Sequence, residues 1–132
     1  MMQMITLEEA VTDYFSALQK RDLEKLSSFY KVSPETMIVM LNGSLIQGYD
    51  AIVALHAEWF SDFDWSLKYK VVQMNQFDEV GMALTEIVYQ DVNDTGESVE
   101  FTYYLYLLFH YDQGVWTLFY DQNTMIKKAN NE

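Results

Sequence analysis

From Trp65 onward the chain reads as a succession of strand runs, and that tail limits the folds open to it more than any other feature. Trp65, Leu67, Tyr69 and Val71 alternate with Ser66, Lys68 and Lys70, the period-two pattern of a strand with one buried face. Val80 to Gln90, Val99 to Tyr111 and Val115 to Ile126 follow, each rich in β-branched and aromatic residues. The turn sequences "NDTG" (Asn93 to Gly96) and "DQG" (Asp112 to Gly114) separate the last three. Long runs joined by such short turns make an antiparallel meander, because parallel neighbours need a longer crossover.

The first half of the chain has a different period. Thr6 and Glu9 have capping-box spacing, and Leu7, Ala10, Val11, Tyr14, Phe15 and Leu18 recur at helical intervals. This predicts a helix to about Lys20. Asp22 can cap a second, short helix through Leu23, Leu26, Phe29 and Tyr30, ending at or before Ser33-Pro34. "TMIVMLNGSLIQG" reads as two strands joined by a tight primed turn at Asn42-Gly43. Asp50 is the expected cap of a third helix from Ala51 to Phe60, with Ile52, Leu55, His56 and Trp59 facing inward. Helices followed by a meander make the class α+β, in one domain over residues 1–132.

Composition removes several functions. With half its residues hydrophobic and 16% aromatic, the chain has ample material for a core. Its longest apolar stretch, "YYLYLLF", is too short to span a bilayer, and "MMQMITLEEA" lacks the basic start and apolar core of a signal peptide. The absence of cysteine rules out disulfides and thiolate chemistry, and it favours a cytoplasmic location. Eight basic against 20 acidic residues give a net charge of −12, with no basic patch beyond Lys127-Lys128. Nucleic acid and acidic membranes are therefore not expected partners, whereas a neutral or cationic small molecule is.

Four stretches together resemble the nuclear transport factor 2-like superfamily, which includes ketosteroid isomerase and the SnoaL-like polyketide cyclases. They are "VTDYFSALQKRDLEKLSSFY", "ETMIVMLNGSLIQGYDAIVALHAEWF", the two long final strands, and "GVWTLFYDQNT". The resemblance implies a cystatin-like cone: N-terminal helices packed on a curved, largely antiparallel sheet, a pocket at one end, and usually a homodimer. It implies either acid–base chemistry on a small apolar molecule or ligand or protein binding without catalysis. Tyr14 stands where the isomerases keep the tyrosine that hydrogen-bonds the substrate oxygen. Their base aspartate would fall near Val39 or Met40 and their protonated aspartate near Leu105 to Leu107, where this chain has no acid. Steroid-isomerase chemistry is accordingly not expected.

Strand parity predicts the pocket. An even loop centred on Asp94-Thr95 would pair Glu86 with Tyr103, Leu84 with Leu105 and Met82 with Leu107. Glu86 would then interrupt an apolar inner face formed with Phe101, Phe109, Val80 and Val88. For the last hairpin, an even loop at Gln113-Gly114 turns Trp116, Leu118, Tyr120, Gln122 and Thr124 inward. A three-residue loop would turn Phe119, Asp121 and Asn123 inward instead. The first arrangement buries more apolar area. It gives catalytic candidates Glu86, His56 and Tyr14, pocket residues Trp59, Tyr103, Tyr120 and Gln122, and a dimer face of Tyr104, Tyr106, Phe119, Asp121 and Asn123.

Each candidate also has an ordinary structural explanation. Glu86 can be a partly solvated acid, His56 a hydrogen-bonded core histidine, and Tyr14 part of the packing of its helix. His56-x-Glu58 is a close His/carboxylate pair, but side chains two apart on a helix diverge, so no metal or other cofactor is expected. The expectation is a small-molecule-binding protein with a hydrophobic pocket, either an acid–base isomerase, dehydratase or cyclase, or a non-catalytic binding or interaction module.

Overall fold

The computed structural model describes residues 5–127, so residues 1–4 and 128–132, Lys128 among them, lie outside the described residues. Helix α1 (Leu7–Gln19) opens on the expected capping box. The Glu9 backbone N–H donates to Thr6 Oγ1 at 3.1 Å, and the Thr6 N–H donates to Glu9 Oε1 at 2.9 Å. Helix α2 (Leu23–Phe29) is capped by Asp22, whose carboxylate accepts from the Lys25 N–H at 3.1 Å. The two helices meet at Arg21, which donates to the Asp62 carbonyl at 3.1 Å and to the Trp65 carbonyl. Helix α3 (Tyr49–Phe60) begins earlier than the sequence predicts. Its N-cap is Gly48, so Asp50 is a first-turn acid aligned with the helix dipole rather than a cap.

The sheet has six strands: β1 (Met37–Val39), β2 (Leu45–Gln47), β3 (Ser66–Phe77), β4 (Val80–Val92), β5 (Ser98–Asp112) and β6 (Val115–Lys127). Their spatial order is β2-β1-β6-β5-β4-β3, and every pair is antiparallel except β1 with β6. The three helices pack on one face of this curved open sheet. Val11, Tyr14, Phe15 and Leu18 of α1 meet Ile87, Leu105, Leu107, Phe109 and Leu118, all buried. Fully burying such side chains contributes about 1.5–3 kcal/mol each. Phe15 also stacks on Tyr69 at 3.9 Å and 7° between planes. Gly81 lets α1 approach the sheet, since a Cβ there would come within 2.9 Å of Leu7 and Trp116 atoms.

Three turns set the registers, and two differ from expectation. In the first hairpin Val39 pairs with Leu45, and the Gly43 N–H donates to the Met40 carbonyl with φ +87°. That is a three-residue loop ending in a left-handed glycine, not a two-residue primed turn. The β4–β5 loop repeats this arrangement. The Gly96 N–H donates to the Asn93 carbonyl with φ +84°, and Asn93 and Glu97 close the loop. The odd loop shifts the register by one residue: Glu86 pairs with Tyr104, Ile87 with Tyr103 and Thr85 with Leu105. The inner residues of β4 are thus Gly81, Ala83, Thr85 and Ile87. Val80, Met82, Leu84, Glu86 and Val88 face outward, contrary to the sequence expectation.

The last hairpin does use the two-residue Gln113-Gly114 loop, both residues at positive φ, and Trp116 and Leu118 are buried inside as expected. A β-bulge then intervenes, because Phe109 pairs with Leu118 but Leu108 pairs with Tyr120. Phe119 is the extra residue. Beyond it the faces exchange: Asp121 and Asn123 point inward, and Tyr120, Gln122 and Thr124 outward.

Candidate functional site

The bulge brings a carboxylate into the interior. Asp121 is buried opposite Leu107 on β5 and beside Ile38 on β1. Its Oδ2 accepts from Tyr30 Oη at 2.7 Å, and its Oδ1 accepts from Asn123 Nδ2 at 3.2 Å. Asn123 Nδ2 also donates to the Val39 carbonyl at 2.9 Å, which anchors the amide on β1. Tyr30 is held where α2 ends, because the Lys31 N–H donates to the Leu118 carbonyl at 2.8 Å. The Tyr14 and Tyr30 hydroxyls lie 3.2 Å apart. A chain Tyr14–Tyr30–Asp121–Asn123 therefore crosses the core from α1 to β6.

The electrostatics follow from that burial. Desolvation pushes the Asp121 carboxyl up to about 7, against the opposing hydrogen bonds from Tyr30 and Asn123. Burial and then the Asp121 charge raise both Tyr14 and Tyr30 well above an ordinary phenol, so both stay protonated. Once Asp121 takes a proton it can donate to Tyr30, and the direction of the chain reverses.

His56 approaches from α3. Its ring lies 5.5 Å from that of Tyr30 and 5.9 Å from that of Trp59. Nδ1 lies 2.9 Å from the Ile52 carbonyl, a contact that needs the Nδ1–H tautomer. Burial lowers its pKa, so the ring is neutral and Nε2 carries a free lone pair. The Tyr103 ring is buried on the same inner face, and burial is the main cause that raises the pKa of its hydroxyl. Neither tip has a hydrogen-bond partner among the described residues. An acid near neutrality, a neutral imidazole and several un-ionised phenols in an apolar interior form an acid–base set.

The structure divides the sequence-predicted residues. Tyr14, His56 and Tyr103 come together on the inner face, with Trp59 at its margin. Glu86 does not join them: it faces outward, with one carboxylate oxygen 3.7 Å from Lys70 Nζ. Tyr120 and Gln122 are outward too, the hydroxyl of the first donating to Oε1 of the second at 2.7 Å. Of the expected dimer face, Tyr104 and Tyr106 lie outside, whereas Asp121 and Asn123 lie inside. Tyr30 and Asp121 were the residues missed. Asp121 belonged to the less apolar of the two registers considered for the last strand, and no residue type marks the bulge.

A cleft of about 390 Å³ lies elsewhere, lined by Lys31, Glu35, Val80, His110 and the bulged Phe119. No member of the interior chain lines it, so the two features are separate. His110 at its edge lies 3.3 Å from Glu79 Oε1. Among the described residues no three His, Asp or Glu side chains cluster as metal ligands, and no helix is long and apolar enough to cross a membrane.

Comparison with known proteins bears on this geometry. The model of the SnoaL-like domain matches residues 7–126. No curated protein matches the chain. Among solved structures, a ketosteroid isomerase-like protein from Erwinia carotovora superposes with a TM-score of 0.77 at 15% identity, covering 92% of this chain and 94% of that one. A candidate dehydratase of the NTF2-like family from Streptomyces avermitilis gives 0.74 at 13% identity, covering 89% and 92%. A candidate calcium/calmodulin-dependent protein kinase II association domain from Thiobacillus denitrificans gives 0.79 at 12% identity, covering 96% and 100%. At such identities the likeness is one of fold.

Proposed function

Because the chain belongs to the SnoaL-like domain family, within the NTF2-like superfamily, we propose that its interior binds a small apolar molecule bearing a carbonyl or hydroxyl oxygen and performs acid–base chemistry on it. Asp121 takes the role first expected of Glu86. Protonated, it is a general acid acting with Tyr30 and Tyr14 on that oxygen, and Asn123 holds its carboxyl in place. His56 Nε2 is the base that removes a proton from carbon. The reaction class is isomerisation, dehydration or cyclisation, each of which moves a proton while a carbonyl or hydroxyl oxygen is stabilised.

The observation that carries this reading is the buried Asp121 carboxyl, bonded to Tyr30 at 2.7 Å and poised near neutrality. A purely structural acid in an apolar core is usually replaceable by an apolar or amide side chain, whereas a carboxyl that titrates near working pH suits proton transfer. The similar folds of an isomerase-like protein and a candidate dehydratase are compatible with it.

Deuterium exchange at the α-carbon of a simple cyclic ketone in D₂O, followed by NMR, tests the proposal. The wild type should exchange the probe faster than buffer. Asp121→Asn and His56→Gln should each lose on the order of a hundredfold. Binding of the ketone with exchange at the buffer rate would overturn the catalytic role. It would leave the other reading, a non-catalytic ligand-binding module.

A further inference from the structure

Where β4 turns into β5, aromatic rings form a ladder running inward from a half-buried margin. Tyr89 pairs with Phe101 across the hairpin, their rings 5.0 Å apart. The Tyr89 ring lies 6.3 Å from Trp59 at 28°, and Trp59 Nε1 donates to Tyr89 Oη at 3.1 Å. Trp59 stacks in turn on buried Trp65 at 4.4 Å. At the inner end Tyr103 lies 6.5 Å from Tyr89, its hydroxyl without a partner among the described residues. Carboxylates surround the outer end. Burial first, and then the fields of Asp91 and Asp62, push the Tyr89 hydroxyl up to about 12. Arg21 shows that these rings accept a cation, since its guanidinium carbon lies 4.0 Å from the Trp65 centroid.

We propose that this ladder is the recognition element of the site and that its ligand carries a weakly hydrated cationic nitrogen, an alkylammonium or quaternary ammonium group. The inference rests on the interior site described above and narrows its substrate class. Aromatic faces attract such cations through their quadrupole, most strongly where water is partly excluded. Arg21 covers Trp65, while Trp59 and Tyr89 continue the ladder on the half-buried side. Asp62 and Asp91 strengthen the attraction, and the net charge of −12 concentrates cations around the whole chain. Asp91 accepts from Tyr89 Oη at 3.5 Å and from the Val92 N–H at 2.7 Å, and its remaining negative field would repel an anionic ligand. Tyr89 and Tyr103, their rings 6.5 Å apart, connect this margin to the inner face that carries His56 and Asp121.

Choline and its neutral isostere 3,3-dimethylbutan-1-ol differ only in this charge. Each is titrated into the full chain while the Trp59 indole and Tyr89 ring NMR signals are followed. Choline should shift both signals and bind roughly tenfold more tightly than the isostere. Asp91→Asn should narrow that ratio several-fold without changing the isostere's affinity. Equal affinities, or choline leaving both signals unmoved, would overturn the proposal. The two readings fail separately. A charge-selective response at Trp59 with no ketone exchange sinks the acid–base role alone, and ketone exchange without charge selectivity sinks this inference alone.

Discussion

Asp121 sits at a position where chemistry and stability make opposite demands. Its carboxyl titrates near 7 in the folded chain, against an ordinary value of 3.8. Between those values the native state keeps a proton that the unfolded state has released. Stability contributed by this group therefore falls as pH rises from about 4 to about 7 and is level above that, a span of roughly 4 kcal/mol. His56 has a lowered pKa and acts with the opposite sign, losing stability as pH falls below about 6.5. The wild-type profile sums both, so the comparison with Asp121→Asn isolates the acid. Urea denaturation should find Asp121→Asn more stable than wild type at pH 8, with the advantage gone near pH 4. An identical pH dependence in the two proteins would mean that the carboxyl is not held neutral.

At the scale of the elements, the two glycines that shape the sheet act by different means. Gly96 has φ +84°, and a Cβ added there would meet nothing within 4 Å, so Gly96→Ala strains only the backbone and should cost about 1–2 kcal/mol. A Cβ at Gly81 would meet Leu7 at 2.7 Å and the Trp116 ring at 2.9 Å, so Gly81→Ala should cost about 1–3 kcal/mol by overpacking. Thermal unfolding distinguishes them when each is combined with Leu7→Ala, which frees space at Gly81 and should reduce the cost only there. The same elements separate what the sequence discloses from what it conceals. The helices α1 and α2 are legible because Thr6, Glu9 and Asp22 are local signals that the fold honours. The existence and order of the long strands are legible from their residue types. Their faces are not, because β4 and β5 are apolar on both sides: Met82, Leu84, Val88, Tyr106 and Leu108 are nearly as greasy outside as Ala83, Ile87, Leu105 and Leu107 are inside. Parity then depends on loop length. "NDTG" closes as a three-residue loop, and the bulge at Phe119 reverses the end of β6. Each adds one residue that no composition rule announces, and the second determines where Asp121 points.

At the scale of the whole molecule, a sheet apolar on both faces is an argument about assembly. Tyr104 and Tyr106 stand outward with Leu108, Met82, Leu84 and Tyr120, interrupted by the Lys70–Glu86 pair. A chain that left this face in water would expose a patch of the kind that marks interaction surfaces. A two-fold dimer through the face would cover it, and a stable one buries about 800 Å² per protomer. Each protomer carries −12, so association opposes a long-range repulsion that salt screens. The dissociation constant should accordingly fall as salt is raised, the reverse of an interface held by ion pairs. Sedimentation at micromolar concentration should give a dimer in about 0.15 M salt, the Debye length there being about 8 Å. Tyr106→Lys should shift it to monomer while leaving the far-ultraviolet circular dichroism unchanged. A wild-type monomer under those conditions would remove the assembly argument, and the double-sided greasiness of β4 and β5 would then need another partner.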